Sequence, residues 1–161
     1  MPDENTIWKL LEEVKDPEVP VLSVIDLGIV RSVTSDNDRI DIVITPTYSG
    51  CPAMDTIRMD IRLKLIEKGY RNIFIEQQLS PTWTTDWMSE EGKEKLRAYG
   101  IAPPNPKQQF CRQEMFSQEA VACPRCHSYH TELISQFGST ACKAMYRCLD
   151  CREAFDYFKC H

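Results

Sequence analysis

Two pairs of cysteines, Cys123-Pro124-Arg125-Cys126 and Cys148-Leu149-Asp150-Cys151, carry the plainest chemistry in this sequence. Each is a C-x-x-C knuckle, and 21 residues lie between them. Two knuckles can bring four thiolates to one tetrahedron, the arrangement zinc takes with metal–sulfur bonds of about 2.3 Å. Iron–sulfur centres also use four thiolates, so the donor set alone leaves both metals open. Cys142, Cys160 and His161 are additional candidate ligands, with His127 and His130 close by in sequence.

A second group stands apart. Cys51 is the single cysteine of the first hundred residues, in the stretch Thr45-Pro46-Thr47-Tyr48-Ser49-Gly50-Cys51-Pro52. Gly50 permits a sharp bend, and Pro52 suits the first helical position, where a missing N–H costs nothing. Cys51 then faces the positive end of a helix dipole, which favours the reactive thiolate. The plainer reading is an inert cysteine in a strand–helix turn, and the local pattern supports both.

The elements that position these groups follow from periodicity. Ile7, Leu10, Leu11 and Val14 share one face of a short helix over 6–14, capped by Asn5. Residues 27–34 predict a strand, and the Ser35-Asp36-Asn37-Asp38 cluster a turn. Ile40, Ile42 and Ile44 alternate with more polar residues, the period-2 mark of a half-buried strand that leads into the Cys51 turn. Met54, Ile57, Ile61 and Leu65 place the core face of a helix over 52–68, with Gly69 at its end. A further strand covers 72–79. The order helix–strand–strand–helix–strand predicts an α+β fold, a small mixed sheet packed with helices. Asp16 and Asp26 lie in the connector before the first strand. Loop aspartates ordinarily cap turns, and the functional alternative sets one beside Cys51 as a proton acceptor or orienter.

Downstream, Trp83 and Trp87 complete the core or offer a docking surface, and a helix near 89–98 starts at Ser89. Pro103, Pro104 and Pro106 mark a stiff linker. The expected organisation is a first domain over 1–103 with a helical extension, a linker over 104–120, and a metal-stapled ribbon over 121–161. The ribbon's strands are expected at 129–137 and 144–147. So short a segment buries too little apolar surface to fold alone, and metal binding supplies the difference.

Bulk properties bound the function. The 161 residues carry a formal net charge of −5, which argues against broad binding to nucleic acid or an anionic membrane. No run of 18 apolar residues is present, and the N-terminus, Met1-Pro2-Asp3-Glu4, is acidic. A cytoplasmic protein is expected. Eight cysteines in that compartment point to metal or thiol chemistry rather than disulfides. No catalytic triad, phosphate loop or H-E-x-x-H helix appears, so an enzyme is not expected.

Asp16-Pro17-Glu18-Val19-Pro20, Ile25-Asp26-Leu27-Gly28-Ile29-Val30 and the Thr45–Pro52 stretch together resemble the iron–sulfur assembly domain of SufT-type and eukaryotic cytosolic iron–sulfur targeting proteins. Trp83-Thr84-Thr85-Asp86-Trp87, Tyr99-Gly100-Ile101-Ala102-Pro103-Pro104, the two knuckles and the ending Phe155-Asp156-Tyr157-Phe158-Lys159-Cys160-His161 extend the resemblance. Over nearly the whole chain the sequence is similar to the PaaD family, accessory proteins of the phenylacetyl-CoA epoxidase of aerobic phenylacetate degradation. The resemblance implies a maturation factor for that multicomponent enzyme, working with the iron–sulfur assembly machinery. It implies the iron–sulfur flavin reductase as the foremost client. It maps the family's functional cysteine onto Cys51, aspartate positions onto Asp16 and Asp26, and the lining of the cysteine turn onto Thr45 and Thr47. On this reading zinc staples the ribbon, and iron or an iron–sulfur cluster passes transiently over Cys51, with a homodimer or the client supplying further ligands. The competing expectation is a zinc-stabilised module, without cluster chemistry, that docks to the epoxidase.

Overall fold

The computed structural model describes residues 3–47, 51–104, 121–140 and 142–158. The chain divides into two compact units, Met1–Gly92 and Lys93–His161.

In the first unit, α1 (Glu4–Leu11) buries Ile7, Leu10 and Leu11. Its N-cap is Asp3 rather than Asn5, and the Asp3 carboxylate accepts from the Asn5 N–H. The strands β1 (Val30–Asp36) and β2 (Arg39–Ile44) form an antiparallel hairpin. Asn37, with φ of 54°, takes the left-handed position in the turn. From β2 the chain crosses through α2 (Ala53–Glu67) to β3 (Asn72–Gln77), which lies parallel to β2. The sheet order β1-β2-β3 makes β2 central; its Ile40, Ile42 and Ile44 are all buried, as is α2's Met54, Ile57, Ile61 and Leu65 face. The α+β order expected from periodicity is the observed one.

β1 begins three residues later than its apolar run. Leu27 is buried in a turn and Ile29 is buried just before the strand, and Gly28 between them adopts a φ of 71° and packs against the Trp87 backbone. A Cβ at Gly28 would collide with the Trp87 carbonyl. Trp83 is fully buried, and its indole N–H donates to the Leu27 carbonyl at 2.8 Å. Trp83 therefore belongs to the core and offers nothing to a partner. Trp87 is half-buried, with the Arg31 guanidinium 3.9 Å above its ring.

The unit boundary falls inside α3 (Glu90–Tyr99), whose Ser89 cap accepts from the Gly92 N–H at 3.0 Å. In the second unit, β5 (Thr131–Ser135), β6 (Lys143–Cys148) and β7 (Ala154–Phe158) form an antiparallel sheet. The two-residue β4 (Ile101–Ala102) pairs parallel to β7, giving the order β4-β7-β6-β5. Residues 101–102, expected in an extension of the first domain, thus lie in the ribbon's sheet. The core of this unit is small: Ala102, Val121, Ala144, Tyr146, Phe155 and Tyr157 close on Cys123 and Cys148. Tyr146 stands edge-on to Tyr157, with ring centres 5.5 Å apart. Among the described residues, no helix is long and apolar enough to cross a membrane.

Candidate metal centre and cysteine turn

The two knuckles meet. The sulfur atoms of Cys123, Cys126, Cys148 and Cys151 all lie within 4.8 Å of one another. Cys123 and Cys151 sulfurs are 3.7 Å apart, and those of Cys126 and Cys148 are 3.5 Å apart. Bonds of about 2.3 Å to one tetrahedral ion set a sulfur–sulfur edge of about 3.8 Å, so the donors fit a single metal ion. A two-iron cluster divides its terminal thiolates between two irons and spreads them farther than one ion's tetrahedron allows.

The backbone repeats itself around the centre. The Cys123 N–H donates to the Ser128 carbonyl and the Cys148 N–H to the Glu153 carbonyl, both at 2.9 Å. His127 and Arg152, each directly after a knuckle, share a left-handed φ of 63° and 62°. That turn aims the Ser128 N–H at the Cys126 sulfur and the Glu153 N–H at the Cys151 sulfur. Side chains then tie each knuckle to the residues following the other. Arg125 pairs with Glu153 at 2.9 Å. Asp150 accepts from the Ser128 hydroxyl and meets His130 Nδ1 at 3.1 Å. These two contacts hold the Asp150 carboxyl below the ordinary carboxylate range, Ser128 contributing most.

Packed as free thiols, Cys126, Cys148 and Cys151 titrate unequally. The Cys151 N–H, helped by that of Asp150, draws the Cys148 thiol down to about 7 against the effect of burial. For Cys151 the Glu153 N–H pulls down, but burial and the hydrogen bonds among the sulfurs outweigh it and push the thiol up to about 12. Cys126 is raised as well: the Ser128 N–H lowers it, and burial with Cys148 and Cys123 prevails. Four thiolates cannot accumulate at this spacing without a cation, and a divalent ion displaces the shared protons. Cys142 does not join them. It is buried beside the Thr140 hydroxyl at 2.9 Å, outside the four-sulfur group. The other candidate ligands, Cys160 and His161, lie outside the described residues.

In the first unit, Cys51 is half-buried between the end of β2 and Pro52, the N-cap of α2. Pro52 is thus the cap itself rather than the first helical residue, and it supplies no side-chain acceptor to the opening turn. The Cys51 carbonyl accepts from the Met54 N–H at 3.3 Å. Cys51 thus opens the crossover that follows the carboxyl end of β2 and leads through α2 to the parallel β3. Thr45, directly after β2, donates its N–H to the Ile29 carbonyl at 2.8 Å, yet its hydroxyl is buried with no hydrogen-bond partner among the described residues. Thr47 is half-buried, and Gly50 lies outside the described residues. Both aspartates accept from backbone N–H groups of their own loop. Asp16 Oδ1 accepts from the Glu18 and Val19 N–H groups at 2.6 and 3.1 Å. Asp26 accepts from the Ser23 N–H at 3.0 Å and from the Ser89 hydroxyl at 3.3 Å.

Sequence reasoning passed over the Asp150–Ser128–His130 tie and the Thr45 orphan. The first had a visible signal, since Arg125 and Asp150 occupy the same place in their knuckles. The second had none.

Comparison with known proteins now bears on these sites. Residues 107–159 match the family described as "PaaD zinc beta ribbon domain". A protein of Escherichia coli (strain K12), named as a putative subunit of 1,2-phenylacetyl-CoA epoxidase, is 50% identical over 159 residues, which is 99% of this chain and 94% of that protein. The chain belongs to the PaaD family. Residues 4–68 of this PaaD-family chain also match "Iron-sulfur cluster assembly protein". An "Fe-S protein maturation auxiliary factor" of Porphyromonas gingivalis (strain ATCC BAA-308 / W83) is 38% identical over 95 residues, covering 58% of this chain and 90% of its own length. Among solved structures, a domain of unknown function (DUF59) from Bacillus anthracis is 32% identical with a TM-score of 0.55, covering 58% of this chain and 90% of that one. A conserved hypothetical protein from Thermotoga maritima is 28% identical with a TM-score of 0.51, covering 59% of this chain and 94% of that one. Both resemblances read from the sequence stand, and the four-cysteine group is a metal site of a zinc-ribbon type.

Proposed function

We propose that this chain is a non-catalytic maturation factor of phenylacetate catabolism. It passes iron or an iron–sulfur cluster from the assembly machinery of the cytoplasm to the phenylacetyl-CoA epoxidase, with the iron–sulfur flavin reductase as client. The observation that carries the reading is the place of Cys51, at the carboxyl end of β2 and directly before an α2 N-terminus without a side-chain cap. The names of two relatives, an epoxidase subunit and a maturation auxiliary factor, support it from outside.

The chemistry is ligand exchange. The Cys51 thiolate donates a lone pair to the cargo iron, and N–H groups in the first turn of α2 steady its negative charge. A single protein thiolate holds the cargo weakly, and a client cysteine displaces it with no change of oxidation state. The ribbon holds zinc through Cys123, Cys126, Cys148 and Cys151 and uses it to stay folded.

The test has two parts. The chain, purified without oxygen, should carry about one zinc in its four-thiolate site and no acid-labile sulfide. The client reductase, produced beside wild-type or Cys51→Ser chain, is then assayed for bound cluster by visible absorbance and sulfide. Losing a metal ligand costs at least what losing an outer hydrogen-bond partner does, so Cys51→Ser should lower client cluster content by about tenfold or more. Full cluster content with Cys51→Ser would overturn the handover and leave a docking module in its place.

A further inference from the structure

A small cavity of about 130 Å³ opens in the second unit, beside the first knuckle. Pro103, Pro104 and Val121 supply an apolar wall, and all three are buried or half-buried. Arg97, His127 and Tyr129 supply the polar groups, and all three are exposed. The cavity is therefore apolar inside and polar towards solvent. Cys123, one of the four clustered sulfurs, lines it too.

The polar groups remain available to a ligand. One nitrogen of Arg97 pairs with Glu94, and a guanidinium has further N–H groups to donate. The His127 ring and the Tyr129 hydroxyl have no hydrogen-bond partner among the described residues. No carboxylate among the described residues lines the cavity. The unit around it, Lys93–His161, carries ten lysines and arginines against seven aspartates and glutamates, in a chain whose net charge is −5. His127 also holds a backbone conformation that glycine adopts at no steric cost, and so does Arg152 at the matching place in the other knuckle. His127 lines the cavity and Arg152 does not.

We propose that this cavity binds a small organic acid. Its apolar group lies against Pro103, Pro104 and Val121, and its carboxylate meets Arg97, with His127 and Tyr129 donating alongside. Charge selects the carboxylate: a guanidinium stays charged in a protein and its fork matches the two carboxylate oxygens. Size selects a free acid. An apolar cavity of about 150 Å³ admits benzene, so this one admits a single ring or branched alkyl group and not a run of peptide. Inorganic phosphate would satisfy Arg97 and leave the apolar wall in water. Ligand and metal are linked. Val121, Cys123 and His127 stand together only while the knuckle is folded, and metal binding holds it folded. A ligand of the folded form alone raises the apparent zinc affinity, about elevenfold at ten times its Kd.

The test uses the full zinc-bound chain, isotope-labelled and titrated with sodium benzoate. The amide signals of Ala102, Cys123 and His127, all at the cavity, should shift and saturate with a Kd of about 0.1–1 mM. Benzamide keeps the ring without the charge and phosphate the charge without the ring, and each should bind about tenfold more weakly. Arg97→Gln should weaken benzoate about tenfold or more. His127→Gly should keep its zinc and weaken benzoate about threefold to tenfold. Arg152→Gly makes the same backbone change on the other knuckle and should bind benzoate as the wild type does. In competition with a chromogenic chelator, benzoate at about ten times its Kd should raise the apparent zinc affinity about tenfold, and benzamide at the same concentration should not. An absence of saturation up to about 20 mM overturns the inference. So does benzamide binding as tightly as benzoate, Arg97→Gln binding unchanged, or Arg152→Gly losing as much as His127→Gly.

Discussion

The Thr45 hydroxyl is buried one residue past β2 and has no hydrogen-bond partner among the described residues. An unmet buried hydroxyl costs about 1–3 kcal/mol, so a valine of the same shape would be the more stable choice if folding were all that mattered. Thr45→Val should therefore raise the urea midpoint of the first unit by the equivalent of about 1 kcal/mol. Under the handover proposed for Cys51, it should also lower the cluster content of the client. A stability gain with unchanged client maturation would mean the hydroxyl serves nothing at that turn. Gly28 is the opposite case, a residue kept for folding. Its φ of 71° and its contact with the Trp87 carbonyl exclude any side chain, and Gly28→Ala should cost about 2–4 kcal/mol in the same urea measurement.

Among the elements, the knuckles show how little of a metal site is its ligands. Asp150 joins the second knuckle to Ser128 and His130 behind the first, and so orients the loop that carries the Cys148 and Cys151 sulfurs. Asp150→Ala should weaken metal affinity about tenfold in competition with a chromogenic chelator. The mirrored Arg125–Glu153 pair is exposed on both sides, and exposed ion pairs hold little. Arg125→Ala should stay within about threefold of wild type in the same titration. The elements also differ in how far the sequence revealed them. The Ile40, Ile42, Ile44 alternation and the Met54, Ile57, Ile61, Leu65 stripe gave β2 and α2 to within a residue or two, because burial on one face imposes a period. The four ligands were legible from spacing alone. What stayed hidden is non-local. β4 is two residues long and exists because β7, more than fifty positions later, accepts it, so residues 101–102 read as an extension of the first domain until the sheet is seen. Trp83 and Trp87 look alike in sequence and part company only through Leu27 and Arg31. The Thr45 orphan depends on what surrounds a side chain, which no spacing encodes.

At the scale of the whole molecule, the two units stay folded by different means. The first has a central strand with its isoleucines buried and a fully buried tryptophan, a core sufficient for its length. The second gathers a handful of aromatic and small residues around two of its own cysteine ligands, so its apolar core and its metal site share atoms. Structural zinc contributes about 10–16 kcal/mol to folding, as much as the entire stability of an ordinary domain, and removing it should leave the second unit without a folded state. Hydrogen exchange read peptide by peptide, before and after chelation, separates the units. Segments within β5, β6 and β7 should lose protection completely when the chelator is added and regain it when zinc is returned, while β2 and α2 keep theirs throughout. Protection retained in β6 would mean that the four thiolates hold metal without needing it to fold. Simultaneous loss in β2 would mean that the units fold as one, and that the metal-stapled ribbon supports the fold around Cys51.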